Sequence, residues 1–332
     1  MTVARPFLKW AGGKHRVVSE LQSIIGERIP LGGTWSVSSG ERYLEPFLGS
    51  GAMFFGLKDS GLIQTGHYSY LSDLNPALVN TMQVVSDSSK IPILIDTLEL
   101  WQNDYGSEGP VEKNSTRTKR EKGMYYRKRV QLNHYLKRPP KDLDSTIDFA
   151  ALTIFLNKTC FNGLWRMNRY GMFNVPEGDY IRPQNICQKE ILYRCNRLLK
   201  GTKIEELDWK DSVKRAKKGD LVYLDPPYMP LKIGDQVFNS YYTEGFTEDD
   251  QIQLAESAAL AASRGVRIIA SNHDALGEPT IREIYGEASN RYGCKNEIIP
   301  IQVSRNISCK GHGRVKVNEV LIFMSECGQT PI

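Results

Sequence analysis

An α/β fold built on a parallel sheet is predicted, and three observations predict it. Short apolar or aromatic runs at 42–45, 68–71, 221–224 and 266–270 have the length and composition of buried strands, and each leads into a polar or Gly/Pro-rich loop. The strongest helix pattern, from Glu248 to Arg264, falls between two of these runs. Strand, loop, helix and strand in that order is the pattern of crossover units in a parallel sheet. The middle third, from Pro76 to about Pro183, breaks the rhythm with charged, helix-like sequence and then a loop rich in Gly, Asn and aromatics. The expected organisation is one sheet domain assembled from 1–75 and 187–326, with a mainly helical insertion at 76–186.

The elements justify themselves in order. Arg42–Glu45 runs into Pro46-Phe47-Leu48-Gly49-Ser50-Gly51 and then an apolar helix, Ala52–Leu57. Tyr68–Leu71 is aromatic-rich and is followed by Asp73. Leu221–Leu224 is wholly apolar and stops at Asp225-Pro226-Pro227-Tyr228. Val266–Ala270 is read as ending before Ser271-Asn272-His273-Asp274, and Glu297–Val303 and Glu319–Phe323 as two strands that close the sheet. Sites in open α/β sheets lie at the carboxyl ends of strands, where all these loops fall.

Composition narrows the class. The 332 residues are 40% apolar and 24% charged, as in ordinary globular proteins. Six cysteines form no C-x-x-C pair and no Cys/His cluster at zinc spacing, so no metal is expected and a reducing cytoplasm is. Met1–Lys14 has no apolar core, so no signal peptide is expected there. No run approaches the roughly eighteen apolar residues of a membrane span. Between Val111 and Lys141, eleven Lys and Arg face only Glu112 and Glu121, a local charge of +9 within a chain of net +5. Such an excess fits a nucleic-acid backbone, or else a solvated helix face or a mobile insertion.

Three motifs carry chemistry. An exocyclic amine on a nucleobase is a poor nucleophile because its lone pair is delocalised into the ring. The Asp225 carboxylate can accept one N–H, and a backbone carbonyl held rigid between Pro226 and Pro227 can accept the other. Tyr228 can stack on an extruded base. Rigid acceptors already aimed at developing charge lower a barrier; the plainer alternative is a stiff turn after a buried strand. Glu45–Gly51 is a strand-to-helix turn whose Gly49 and Gly51 let a ligand approach the backbone. Asp73 follows about twenty residues later, the spacing at which an acid reaches ribose hydroxyls. Because G-x-G-x-x-G and G-x-x-x-x-G-K-[ST] are absent, an adenosyl cofactor without phosphates is favoured over NAD or ATP. Phe7–Lys14 sets Trp10 beside Gly12 and Gly13 with Lys9 and Lys14 flanking, either a ligand cover or a capped N-terminal segment.

Taken together, these residues closely resemble the Dam-type DNA adenine N6-methyltransferases, the D12 class, alpha group. The matching blocks are Phe7–Lys14, Glu45–Gly51, Ser72–Asn75, Asn157–Asn168, Phe173–Gly178, Asp225–Tyr228, Ser271–Asp274 and Arg305–Ser308, in the family's order from about Arg5 to Phe323. The resemblance implies a Rossmann-like sheet dependent on S-adenosylmethionine, with 76–186 as an inserted target-recognition domain carrying a β-hairpin at Cys160–Tyr180. It implies cofactor contacts from Trp10, Lys14, Asp73 and Asp225, joined by Glu45, Phe47, Gly49 and Gly51 of the glycine turn. Asp225, Pro226, Pro227 and Tyr228 would hold the extruded adenine. Phe161 and Asn162 would wedge into duplex DNA, Leu164 and Arg166 would read base edges, and Asn168, Pro176 and Lys9 would add contacts. An arginine at 166 suits bidentate contact with guanine. Two departures stand out: 104–144 is long and basic for the family, and Asp179 replaces an expected basic residue.

The implied reaction is direct displacement, with neither a covalent intermediate nor a metal, on a GATC target by a monomer. Cytosine N4, RNA or another DNA sequence are alternative acceptors for the same motif. A DNA-binding regulator on an inactive scaffold is the rival from another class. A solitary enzyme, a phage enzyme and the modifying half of a restriction pair all fit this sequence.

Overall fold

The computed structural model describes residues 5–10, 15–27, 30–64, 68–108, 123–178, 185–228, 231–233, 236–238, 246–274, 279–304 and 316–328. Lys14, Asp179 and Arg305–Ser308 lie outside the described residues, as do Lys113, Arg117, Lys119, Arg120 and Lys122 of the basic stretch.

Seven strands form one mixed sheet: β1 (Tyr43–Glu45), β2 (Ser69–Asp73), β3 (Thr202–Glu206), β4 (Leu221–Leu224), β7 (Arg267–His273), β8 (Cys294–Ser304) and β9 (Lys316–Glu326). Their order is β3-β2-β1-β4-β7-β9-β8. β2, β1, β4 and β7 pair in parallel, while β9 runs antiparallel to both β7 and β8. A separate antiparallel pair, β5 (Leu231–Ile233) with β6 (Gln236–Phe238), follows the Asp-Pro-Pro-Tyr loop. Strand order reverses between β1 and β4, the place where open α/β sheets bind ligands.

By internal contacts the chain forms two units. One comprises Met1–Gly13, Gly49–Asp59 and Asp73–Glu206; the other comprises Lys14–Leu48, Ser60–Ser72 and Leu207–Ile332.

The first unit is largely helical. It holds α2 (Ala52–Asp59), α3 (Pro76–Ser86), α4 (Ile91–Glu108), α5 (Met124–Lys137), α6 (Leu143–Thr159) and α7 (Lys189–Leu199). Helix α6 is buried on every face from Phe149 to Thr159, as befits a mainly apolar helix at the centre of its unit. Trp101 and Tyr105 of α4 meet the Phe155 ring edge-on at 5.9 and 5.3 Å. Asp142 starts α6 by accepting the Ser145 N–H, and Asn75 starts α3 by accepting those of Ala77 and Leu78, with Pro76 at the first helical position.

The second unit carries β1, β4, β7, β8 and β9 with α1 (His15–Glu27), α8 (Trp209–Lys214), α9 (Glu248–Ser263) and α10 (Ile281–Tyr292). Ala255, Ala258, Ala259, Ala261 and Ala262 of α9 are fully buried in a core with Val222, Leu224, Ile268, Ala270, Val320 and Ile322. Small side chains let this helix lie close on the strands. Capping boxes at Thr247/Asp250 and Thr280/Glu283 begin α9 and α10.

Several expectations need adjustment. The β7 strand does not stop at Ala270. Its pairing with β4 ends there, but pairing with β9 continues through Ser271↔Leu321, Asn272↔Val320 and His273↔Glu319. Strand β3 escaped the sequence reading because Thr-Lys-Ile-Glu-Glu buries only Ile204. The arms of the expected hairpin are joined by isolated bridges, Cys160↔Glu177 and Met167↔Phe173, rather than by continuous strands. A 3₁₀ turn at Phe161–Gly163 interrupts the first arm.

Replacing Phe155 by Ala should destabilise the protein by about 3 to 5 kcal/mol, since it removes the ring on which α4 packs. Urea unfolding would measure this, with a lower transition midpoint as the expected result.

Candidate active site and recognition loop

Strand β4 ends at Leu224 because Pro226 and Pro227 have no N–H to continue the ladder. Asp225 next to them is half-buried and held from β7: the Ser271 hydroxyl donates to Asp225 Oδ1 at 3.0 Å. A serine has one proton, so with that proton on Asp225 the Ser271 oxygen accepts from the Tyr223 hydroxyl at 2.9 Å and the Tyr228 hydroxyl at 3.4 Å. The single Tyr228 hydroxyl proton lies between Ser271 and the buried Glu319, 3.3 Å away, and the His273 ring stands edge-on to Tyr228 at 4.4 Å. From α9, Gln251 donates to the Pro227 carbonyl at 2.7 Å, and Asn272 in turn donates to Gln251 at 3.1 Å. Asp225 and both flanking rigid elements are thus fixed by buried partners.

Glu45 is buried and accepts the Tyr43 hydroxyl at 2.7 Å. Burial first, and the Glu45 carboxylate second, push the Tyr43 phenol well up, so it stays a donor. Phe47 is half-buried and packs on Trp209 and Phe246, with ring centres 6.3 and 5.8 Å away.

In the first unit, Gly49 and Gly51 take left-handed backbone, φ +49° and +71°, as the turn into α2 requires. Asp73 closes this turn, accepting the Gly49 N–H at 3.0 Å and the Asn75 N–H at 3.0 Å. Burial pushes the Asp73 carboxyl up, against the N–H donors of Gly49, Asn75 and Leu74. A Cβ on Gly49 would lie 3.2 Å from Trp10 Cδ1. A carboxylate and an indole beside a glycine turn without a phosphate cradle fit a ribose and an uncharged or cationic ligand group.

The loop at 160–178 has its own support. Lys9, Phe161, Asn162, Arg166 and Pro176 are exposed; Leu164 and Asn168 are half-buried. Asn162 has φ +55°, a strain that asparagine tolerates and that concentrates at functional turns. Arg166 is steered by its Nε–H donating to Asn174 Oδ1 at 2.8 Å. Asn168 Oδ1 accepts the Tyr170 and Met172 N–H groups, so its carbonyl shapes the tip.

Sequence reading missed what holds the second arm. Asn133 of α5 clasps Phe173 at two points, accepting its N–H at 2.7 Å and donating to its carbonyl at 3.1 Å. Tyr125 and Arg129 both donate to the Val175 carbonyl, at 2.8 and 3.2 Å. The basic stretch is therefore partly internal. Arg127 pairs with Glu108, Lys128 sits 3.3 Å over the Trp101 ring, and Arg129 supports the loop, whereas Lys137, Arg138 and Lys141 are exposed.

Burial pushes the Cys160 and Cys195 thiols up to about 12 and the Cys187 thiol up to about 11, which leaves little thiolate for nucleophilic work. Among the described residues no His/Cys/Asp/Glu group could hold a metal, and no helix is long and apolar enough to cross a membrane.

A seven-stranded mixed sheet with a fixed carboxylate at its order reversal is consistent with a methyltransferase. Comparison with known proteins specifies which: the family described as D12 class N6 adenine-specific DNA methyltransferase matches residues 10–303, and the chain belongs to that family. It is 31% identical to the type II methyltransferase M.MjaIII of Methanocaldococcus jannaschii over 96% of this chain and 98% of that one. Identity is 30% with the DNA adenine methylase of Vibrio cholerae, over 98% of each chain. The DNA adenine methylase of Escherichia coli is 31% identical over 96% of this chain and 94% of its own. The protein is a DNA adenine methyltransferase.

Ser271→Ala should lower kcat by roughly 10- to 100-fold, the effect of losing a hydrogen bond to a charged group. Steady-state methylation assays should show KM for DNA nearly unchanged.

Proposed function

We propose that the protein moves the methyl group of S-adenosylmethionine to N6 of an adenine swung out of duplex DNA, and that this adenine lies within GATC. The observation that carries the reading is the Asp225 carboxylate, oriented by Ser271 beside two prolines at the end of β4.

In this reading 76–186 recognises DNA, while 1–75 and 187–326 catalyse. Asp73 accepts ribose hydroxyls from the donor, and Gly49 and Gly51 admit it close to the backbone. Trp10, Lys14, Glu45 and Phe47 complete its surroundings. When bound, S-adenosylmethionine supplies a methyl on a sulfonium, which departs as a neutral thioether. Asp225 accepts one N6–H and the Pro226 carbonyl accepts the other, which localises the nitrogen lone pair. Tyr228 stacks on the base, its hydroxyl held toward Ser271 and Glu319. N6 attacks in line; its bond to the methyl carbon forms as the carbon–sulfur bond breaks, and the surplus N6 proton leaves through Asp225 to solvent. Holding both partners in this alignment supplies much of the rate. Phe161 and Asn162 fill the gap left by the base, and Lys9, Leu164, Arg166, Asn168 and Pro176 contact the recognition sequence.

Labelled S-adenosylmethionine should methylate a duplex with one GATC and leave its GTTC counterpart unlabelled, with N6-methyladenine as the nucleoside product. Asp225→Ala should lower this methylation by orders of magnitude and leave duplex binding in a gel-shift assay intact. Methylation surviving in that variant would sink the role given to Asp225.

Asp73 gives a pH signature. Its carboxylate is the form that accepts hydroxyls, and its raised pKa means it protonates at higher pH than an ordinary aspartate. Affinity for S-adenosylmethionine should therefore hold at neutral and alkaline pH and fall on acidification, starting above the usual carboxylate range. Calorimetric titrations across pH should show this loss, and Asp73→Asn should flatten it.

A further inference from the structure

We infer that Trp165 is a positioning residue that couples cofactor binding to DNA recognition, acting through Trp10. The inference rests on the reading above, in which Trp10 flanks the cofactor and the 160–178 loop meets DNA.

The coupling is built from side chains of the first unit. Asn157, fully buried near the end of α6, clasps the backbone of Lys9: it accepts the Lys9 N–H at 2.8 Å and donates to the Lys9 carbonyl at 2.7 Å. The segment that ends in Trp10 is thereby fixed like a paired strand, although 148 residues separate the two partners. Gly163 lies directly against it. A Cβ at Gly163 would fall 2.7 Å from Lys9 Cβ, and its φ is +65°, so the loop reaches Lys9 only because this residue has no side chain.

Trp10 then joins two sites. On one side its ring meets Gly49, whose N–H is held by Asp73. On the other it stacks on Trp165, with centroids 5.8 Å apart and planes 28° from parallel. Trp165 in turn leans on Phe173 at 5.0 Å, and Phe173 is buried and clasped by Asn133 of α5. The chain of contact therefore runs from the glycine turn through Trp10 and Trp165 to the second arm of the recognition loop. A ligand that fixes the Trp10 ring favours one placement of Trp165, and a duplex that fixes the loop favours the same placement of Trp10. Equilibrium linkage makes the two effects equal.

The test is a binding cycle by calorimetry on the full chain, with S-adenosylhomocysteine as a cofactor probe that cannot react. The duplex carries one GATC, or whichever sequence the methylation assay selects. Each ligand is titrated alone and in the presence of the other. In the unaltered protein each should tighten the other by about ten-fold, within the usual range of such coupling. Trp165→Leu keeps apolar bulk against Phe173 but has no ring face. It should bring the coupling to within about two-fold of none while S-adenosylhomocysteine alone binds within about three-fold of normal. Trp165→Phe restores a ring and should restore most of the coupling, which a merely structural role for Trp165 does not predict. The inference is overturned if the unaltered protein shows no coupling, or if Trp165→Leu retains it. Trp10→Ala tests the underlying reading separately: undiminished S-adenosylhomocysteine binding in that variant would remove Trp10 from the cofactor site whatever Trp165 does.

Discussion

Parallel pairing of β1 with β4 is the constraint from which the sheet of the second unit follows. The register Tyr43↔Leu221 and Leu44↔Val222 places the ends of both strands side by side where strand order reverses. At the opposite ends, the same strands are tied by charge. Asp220 accepts from the Arg42 backbone and guanidinium and from the Lys217 N–H, while Arg267 donates to the carbonyls of Thr34, Ser36 and Gly219 and to Glu41. A poorly solvated ion pair stabilises only when its remaining donors and acceptors are filled, as most of these are. The strands are anchored at their beginnings, and their ends can carry loops chosen for chemistry.

The loop at 160–178 obeys a different logic. It has almost no ladder of its own, yet its backbone groups still need partners. Side chains supply them: Asn133 for Phe173, Tyr125 and Arg129 for Val175, Asn168 for Tyr170 and Met172, and Asn157 for Lys9. A loop held by side chains from rigid helices can present exposed residues such as Phe161 and Arg166 without forming a sheet edge that would pair with other chains.

How much of this was legible beforehand depended on the kind of contact. The strands around the site were legible because an apolar run ending at Asp225 or at Glu45-Pro46 leaves few other readings. Their lengths were not, because the extension of β7 to His273 is imposed by β9, some fifty residues later in the chain. Strand β3 was invisible since an edge strand needs little apolar sequence. Ser271 was seen as part of a resembling block but given no task, since only the fold brings it to Asp225. Asn133 carried no signal, and Asn157 entered only as the first residue of a resembling block with no task assigned: an amide that clasps distant backbone leaves no period or spacing in the sequence. For the basic stretch, counting cations does not say where each of them points. Lys128 covers an indole, and burial there lowers its pKa.

What the fixed groups can do also limits the chemistry. Among the described residues the buried thiols are held protonated, so they offer no ready nucleophile. The site instead concentrates acceptors and rigid backbone: Asp225 held by Ser271, Pro227 held by Gln251, Tyr228 held toward Glu319. Each of these contacts reduces the freedom of the loop that follows β4. A reaction whose nucleophile and leaving group both arrive with the ligands needs little more from the protein than alignment and a fixed acceptor, and preorganised dipoles are most effective when they need not move during the reaction. The hydrogen-bonded serine, invisible as a motif, fixes the carboxylate from the neighbouring strand.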